Sequence, residues 1–251
     1  MKLLIFGATG GTGRQLVEQA LAQGHFVTAF VRNPAKFHVR HATLRVAQGD
    51  VLRYDTVEPA VTGQDAVLSA LGVHPPVFTF IVVTILCQVA ARLLALHGIG
   101  AWSASLGIPL LALLFLFRRN TKLSDGTRNI VRAMQERGVK RFVCQSSLGV
   151  GDSRGRLGFL YNFFIIPLFL RNLFADKAVQ ETIIKESALD WVIVRPTALT
   201  NGPRKGVYRV GSGIGHWFFL TKISRADTSD FMLKQLAGNN TYLRQTPSLA
   251  Y

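Results

Sequence analysis

The sequence is poor in cysteine, and this shortage excludes two classes of protein. Its only cysteines, Cys87 and Cys144, cannot make a disulfide scaffold, and their spacing matches no metal-binding motif. We therefore expect no metal site, and a reducing compartment is the default. Charged residues are also scarce, at 17% of 251, whereas 49% are hydrophobic. Such a chain can bury a large core and is not disordered.

Negative charge is the second shortage. The chain has 14 acidic against 29 basic residues, for a net charge of +15, and no acidic residue lies between Asp65 and Asp125. A basic surplus favours nucleic acid, anionic lipid or a phosphorylated ligand as partner. The basic residues are spread along the chain, without an arginine-rich tail or a nucleic-acid-binding signature. We expect no nucleic-acid partner, and the uninterrupted hydrophobic stretch in the acid-free region favours a membrane surface.

The first thirty residues carry the most specific motif. Residues 2–6 read KLLIF, a lysine followed by an apolar run that is too short for a signal peptide, and they predict a buried strand. Residues 7–13 read GATGGTG, a helical pattern ends at Gly24, and residues 25–31 predict a second strand. A glycine loop between a strand and a helix lets the backbone approach a pyrophosphate at the positive end of the helix. The unit therefore predicts dinucleotide binding.

The residue after the second strand indicates which dinucleotide. An NAD site places Asp or Glu there for the ribose 2′-hydroxyl, whereas arginine accommodates the 2′-phosphate of NADP. This chain has Arg32, with Lys36 close behind and no acid next to it. We therefore predict NADP as the cofactor, with NAD as the alternative.

Strands and helices continue to alternate along the chain. Residues 43–47 and 65–71 predict a third and a fourth strand, with a short helix over 57–61 between them. Asp50 and Gly72 follow these strands, at the edge where open α/β sheets bind ligands. We predict an α/β fold of the Rossmann type, a doubly wound parallel sheet broken by a long hydrophobic, helical insertion.

Several further motifs carry a resemblance to a known family. The chain reads FGATGGTG at 6–13, VRNP at 31–34, GDV at 49–51, SS at 146–147, VRP at 194–196 and ISRAD at 223–227. It resembles the atypical short-chain dehydrogenase/reductase group with NAD(P)H-binding, NmrA-like domains, and within that group the biliverdin reductase B/flavin reductase-like proteins. The resemblance runs from Met1 to about residue 236, apart from the insertion.

The resemblance implies a cofactor site built from the ends of six strands. It places the pyrophosphate at the glycine loop, the 2′-phosphate at Arg32, the adenine at Asp50 and the nicotinamide near Ser146 and Pro196. The residues that it implies around the cofactor are Gly7, Thr9, Gly10, Gly11, Thr12, Gly13, Arg32, Asp50, Val51, Leu71, Gly72, Ser146, Ser147, Lys177, Pro196, Thr197 and Leu199.

The catalytic residues of the family are only partly present. Short-chain dehydrogenases use a Tyr-x-x-x-Lys pair, but Leu173 stands four residues before Lys177. Lys177, at the start of a helix predicted over 178–187, is either a ribose anchor or a solvated lysine, and Ser147 is the other catalytic candidate. Hydride transfer to a flavin or quinone remains feasible with a proton from solvent. We predict an NAD(P)H-dependent reductase of an apolar or aromatic acceptor; the alternative is a non-catalytic NADP-binding redox sensor or assembly factor.

Residues 76–117 form the insertion, between two parts of one Rossmann domain at 1–75 and 118–251. Residues 99–117 carry no charge and reach the length of a bilayer span, and Arg118 with Arg119 follows them. We predict a membrane hairpin that contacts lipid through 77–117 and holds a cytoplasmic protein on the cytoplasmic face of a membrane. The alternatives are a helical pair packed on the domain and a segment that the fold merely tolerates.

A second apolar tract covers residues 157–174 and is rich in phenylalanine. Pro167 interrupts it, so it cannot form a regular span. The tract is expected to form the wall of an apolar substrate pocket, with an interfacial helix as the alternative. The basic residues that follow are expected to form a solvated positive face, and they are Arg204, Lys205, Arg209, Lys222, Arg225, Lys234 and Arg244.

Overall fold

The computed structural model describes residues 1–72, 121–216, 218–237 and 241–251. Strands and helices alternate through the first part of the chain. They are β1 (Lys2–Phe6), α1 (Gly11–Ala22), β2 (Phe26–Val31), β3 (Leu44–Gln48), α2 (Tyr54–Val61), β4 (Ala66–Ser69), α3 (Lys122–Glu136), β5 (Arg141–Gln145), α4 (Arg171–Lys185) and β6 (Asp190–Pro196). The remaining elements are β7 (Ala198–Thr200), β8 (Arg209–Gly211), β9 (Lys222–Ser224), α5 (Arg225–Lys234) and β10 (Ser248–Ala250). Short 3₁₀ helices cover Pro34–Lys36 and Gly151–Ser153, and a π-helix covers Tyr161–Leu170.

The strands form one large sheet in the order β3-β2-β1-β4-β5-β6-β10-β8. All neighbours are parallel except β10 and β8, and β7 pairs with β9 in a separate parallel ribbon. The strand order reverses between β1 and β4, which is where a doubly wound sheet opens a crevice at the carboxyl ends of its strands. The predicted Rossmann-type parallel sheet is confirmed.

Strand β1 shows why the sheet is covered on both faces. Its side chains alternate, so that Leu3 and Ile5 belong to the core beneath α1 and α5, whereas Leu4 and Phe6 belong to the core beneath α2 and α3. All four are fully buried. A strand buried on both faces reads as a continuous apolar run, which is the pattern at residues 2–6.

Helix α4 begins at Arg171, seven residues before the predicted start. The prediction was wrong because Lys177, which the sequence analysis placed at the start of the helix, lies inside α4, as does Asp176. The Asp176 carboxylate instead accepts the backbone N–H groups of Leu123 and Ser124, at 2.9 and 3.1 Å, and so caps the start of α3. The reading of Lys177 as a solvated residue is also wrong, because its side chain is buried.

The insertion predicted over 76–117 lies outside the described residues, so the membrane hairpin stays a prediction. In the described ranges, no helix combines the length and the apolar character that crossing a bilayer requires.

Candidate functional site

The loop after β1 adopts a conformation that only glycine accommodates. Gly7 has a φ of +76°, and a β-carbon there would lie 2.5 Å from the carbonyl oxygen of Ala70, which follows β4. A β-carbon on Gly13 would lie 2.0 Å from the Gly7 carbonyl oxygen. The turn is closed by the Gly10 N–H, which donates to that same oxygen at 2.9 Å. These glycines bring the start of α1 against the end of β1 and next to β4.

Helix α1 begins at this loop with its first N–H groups uncapped by side chains. Gly10 is the N-cap and has no side chain to accept a hydrogen bond, and the first turn contains no acidic residue. The N–H groups of Gly11, Thr12 and Gly13 have no acceptor within the helix, because the first turn never does. With the helix dipole they form an anion site at the strand-order reversal, which fits a pyrophosphate.

The predicted adenine end lies at the carboxyl ends of β2 and β3. The Gly49 N–H donates to the Val31 carbonyl at 3.0 Å, so the loops that carry Arg32 and Asp50 are neighbours. Arg32 is exposed, and the part of the chain described here gives it no ion pair. The Asp50 carboxylate accepts the Leu52 N–H at 3.1 Å within its own loop. A cation is therefore available here for a 2′-phosphate.

Val51 is held against helix α3. Its carbonyl accepts a hydrogen bond from the Asn129 side chain at 2.9 Å, and a β-carbon on Gly126 would lie 2.8 Å from its Cγ2. The motif around Asp125, Gly126 and Asn129 thus positions the loop after β3. The sequence analysis gave these residues no role.

The predicted nicotinamide end lies beyond β5 and β6. The Ser146 N–H donates to the Val194 carbonyl at 2.7 Å, and the Leu148 N–H donates to the Pro196 carbonyl at 3.0 Å. Pro196 is the last residue of β6, and Thr197 follows it. The hydroxyl oxygens of Ser146 and Thr197 are buried, and the described residues offer neither a hydrogen-bond partner. Buried hydroxyls of this kind call for a partner, and a bound ligand would supply one.

The remaining predicted residues extend this edge of the sheet. Leu71 is half-buried and Gly72 is exposed, and both follow β4 directly before the undescribed range 73–120. Thr9 is exposed at the glycine loop. The Ser147 hydroxyl donates to the Leu148 carbonyl at 3.1 Å, so its proton is committed to the backbone. Their roles stay predictions.

Lys177 is buried in the middle of α4, and burial lowers the pKa of its ammonium group. The carboxylates of Glu181 and Asp176 oppose that shift in part. Cys144 lies on β5, one residue before the strand ends, and burial raises the pKa of its thiol to about 12. The lysine is therefore buried rather than solvated, and its role as a ribose anchor stays a prediction.

Two arginines near the site were given no role in it by the sequence analysis. Arg195 is 1% exposed and binds Glu181 of α4 through two hydrogen bonds, at 2.9 and 2.5 Å, and also Asp152 at 2.8 Å. These contacts raise the pKa of Arg195 although burial opposes the charge. The sequence analysis used only the proline of the VRP motif at 194–196. The arginine of the same motif is the residue that forms this ion pair.

Arg225 is the second group, and its expected place on a solvated face was wrong. Its side chain is half-buried and covers the glycine loop, where a β-carbon on Gly11 would lie 2.6 Å from its Cδ. Its guanidinium donates to the Asn201 side chain at 2.6 Å and to the Leu199 carbonyl at 3.4 Å. Leu199 is thereby connected to the loop that starts α1.

Comparisons with known proteins agree with this geometry. The chain is 29% identical over 214 residues to an uncharacterised chloroplastic protein of Arabidopsis thaliana, covering 82% of this chain and 61% of that protein. It is 37% identical over 153 residues to the photosystem II assembly factor Ycf39 of Synechocystis, covering 61% of this chain and 35% of that protein. The chain therefore spans less than two thirds of the length of these two curated relatives.

Solved structures share the fold at low sequence identity. A short-chain dehydrogenase/reductase from Veillonella parvula superposes with a TM-score of 0.70 at 16% identity, covering 99% of this chain and 93% of that one. ChuY from Escherichia coli O157:H7, described as an anaerobillin reductase, gives 0.66 at 19% identity, covering 100% of this chain and 97% of that one.

The resemblance drawn from the motifs is thus confirmed at the level of the family. Residues 7–239 match the sequence profile of a family described as NAD(P)H-binding, a range that begins at the glycine loop and includes every residue placed around the crevice. The cofactor is accordingly a nicotinamide dinucleotide. The chain belongs to the NAD(P)H-binding family.

Proposed function

We propose that this protein is an NADPH-dependent reductase of an apolar or aromatic acceptor such as a flavin or a quinone. The observation that carries the proposal is the glycine loop at the strand-order reversal, where a β-carbon on Gly7 or Gly13 would collide with backbone. Such close backbone approach is what a pyrophosphate at a helix start requires.

Different residues along the crevice bind different parts of the cofactor. The N–H groups at the start of α1 bind the pyrophosphate, and the buried hydroxyls of Ser146 and Thr197 orient the nicotinamide end. Lys177 holds the ribose from the side of α4, where Asp176 fixes the helix by capping α3. When bound, the cofactor supplies a hydride.

Exposed Arg32 supports NADP over NAD. Asp50, the carboxylate at the neighbouring strand end, is engaged by the Leu52 N–H within its own loop. A guanidinium can bind a phosphate through two charge-assisted hydrogen bonds, which are worth about 1.5–3 kcal/mol. Arg32→Ala should therefore weaken NADPH binding about ten- to a hundredfold and leave NADH binding nearly unchanged. The matched control is Arg45→Ala, which removes an exposed arginine from within β3.

Apolar side chains next to the loop after β5 support an apolar acceptor. Gly149, in the loop after β5, lies against Leu157 and Phe174, which belong to the phenylalanine-rich tract. Leu173 stands where the family has its tyrosine, so the proton for the acceptor comes from solvent.

The test is NADPH oxidation by the purified full chain with flavin and quinone acceptors. We expect turnover with at least one acceptor class, faster with NADPH than with NADH. Equal affinity of the unmutated protein for the two cofactors would contradict the assignment of Arg32. Tight NADPH binding without turnover of any flavin or quinone acceptor would contradict the proposed reductase activity.

A non-catalytic NADP-binding protein is the second candidate. Leu173 at the tyrosine position favours it, and so does the name of the Synechocystis relative, an assembly factor. This candidate predicts NADPH binding with no acceptor-dependent oxidation, so the same experiment separates the two.

A further inference from the structure

Six large apolar side chains are exposed together where two segments meet beyond the loop after β5. We call this set the aromatic patch, and it consists of Phe159, Leu160, Phe163, Phe164, Phe218 and Phe219, which are 42–65% exposed. The ring centroid of Phe159 lies 4.9 Å from that of Phe163 and 6.1 Å from that of Phe164. Phe218 and Phe219 stack edge to face at 4.9 Å. Contiguous exposed apolar surface of this kind marks an interaction site.

The backbone joins the two segments into one surface. The Phe159 N–H donates to the Phe218 carbonyl at 3.3 Å, and Leu157 forms a bridge with His216. Gly158 has a φ of +87°, and a β-carbon on it would lie 3.0 Å from the Phe219 carbonyl carbon. The patch is thus built by a glycine-dependent close approach.

The surroundings of the aromatic patch are basic. Neither segment that carries it contains an acidic residue, across 153–175 and across 191–226. The acids just outside the first segment are engaged within the fold, since Asp152 pairs with Arg195 and Asp176 caps α3. The basic residues that flank the patch in sequence are Arg154, Arg156, Arg171 and Lys222.

We propose that the aromatic patch and its basic surroundings dock onto an anionic lipid bilayer. Phenylalanine and leucine side chains enter the boundary between headgroups and acyl chains, and arginine and lysine attract anionic headgroups. A second copy of this chain fits less well, because a symmetric contact through the patch would bring the same basic residues face to face. This docking is peripheral and uses residues far along the chain from the predicted hairpin.

Docking through the aromatic patch also orients the crevice. The loop that links Ser146 to Gly149 lies next to residues 157 and 174 at the base of the patch. An apolar acceptor dissolved in the bilayer would then enter the nicotinamide end from the lipid side. This consequence rests on the proposed reductase function, whereas the docking itself does not.

The test measures binding of the full chain to vesicles of phosphatidylcholine, with and without phosphatidylserine, by flotation. We expect binding that increases with phosphatidylserine and falls in part with added salt. Phe163→Ser/Phe219→Ser should lower the partition coefficient at least about tenfold, because two exposed rings lose their burial in lipid. The matched control, Phe26→Ser/Val46→Ser, removes exposed apolar side chains from β2 and β3 and should bind as the unmutated protein does.

Further variants and measurements distinguish docking onto lipid from contact with a second copy of the chain. Arg154→Glu/Arg171→Glu should remove most of the preference for phosphatidylserine. All variants should retain NADPH binding, so failure of the reductase assay would leave the docking result standing. Vesicle binding that is unaltered in Phe163→Ser/Phe219→Ser would overturn the proposal and assign the attachment to another part of the chain. A patch variant that changes a dimer into a monomer, without an effect on vesicles, would overturn it in favour of a second copy.

Discussion

Gly13→Ala tests the glycine loop most directly, because the structure gives the size of the collision. The new methyl carbon would lie 2.0 Å from the Gly7 carbonyl oxygen, 2.6 Å from the Gly7 carbonyl carbon and 2.9 Å from the Ala8 Cα. All three are backbone atoms, so no side chain can rotate away. Since such contacts need about 3 Å, α1 must shift from β1 by about 1 Å.

The shift has two consequences with different magnitudes. Overpacking a well-packed contact costs about 1–3 kcal/mol of the free energy of unfolding, which the large core can tolerate. The affinity for the cofactor falls more, because displacement of a binding group by about 1 Å lowers it on the order of a hundredfold. We therefore expect Gly13→Ala to fold and to bind NADPH about a hundredfold more weakly.

Two other glycines provide a graded control. A β-carbon on Gly10 would lie 3.2 Å from the Gly7 carbonyl oxygen, whereas one on Gly211, in β8 and away from the crevice, would have none of the described residues within 4 Å. The dissociation constant for NADPH should be highest in Gly13→Ala and lower in Gly10→Ala, and in Gly211→Ala it should be close to that of the unmutated protein. Fluorescence titration gives the affinities and urea unfolding gives the stabilities. Unchanged affinity and stability in Gly13→Ala would refute the reasoning, as would an equal loss in Gly211→Ala.

Two further predictions concern buried charge. Burial lowers the pKa of Lys177 in the folded state from its ordinary value of 10.5. Between that lowered pKa and 10.5 the unfolded state binds more protons than the folded state, so the free energy of unfolding rises with pH in this window. At neutral pH, Lys177→Met should unfold at a higher urea concentration than the unmutated protein, and this difference should shrink toward pH 10.5. A variant that is less stable at neutral pH would show that the amine has a partner. Arg195→Met leaves buried Glu181 with Lys185, at 3.4 Å, as its ion-pair partner and should cost up to about 3–5 kcal/mol of unfolding free energy, whereas Asp152→Ala, at the exposed partner, should cost less than about 1 kcal/mol. Equal losses in these two variants, measured by urea unfolding, would contradict the assignment.

The fold and the phosphate end of the site could be predicted from the sequence because their signals are local. A continuous apolar run, a glycine-rich turn and a helical repeat within residues 2–22 specify β1, the loop and α1. The position of Arg32 follows in the same way, since it stands next to the end of β2. Each of these features depends on backbone geometry over a few residues, which neighbouring residue types determine.

Tertiary structure alone decided the other features. The sequence analysis gave Asp176 no role, but its carboxylate accepts the N–H group of Leu123, 53 residues earlier, and caps the helix that begins at Lys122. Arg225 looked solvated, but α5 packs on α1, where the Ser229 hydroxyl donates to the Thr12 carbonyl across 217 residues, and this places Arg225 on the glycine loop. The aromatic patch likewise needs two segments that meet only in the folded chain. Burial and pairing of a polar side chain depend on which distant element covers it, and residue spacing within one segment carries no information about that.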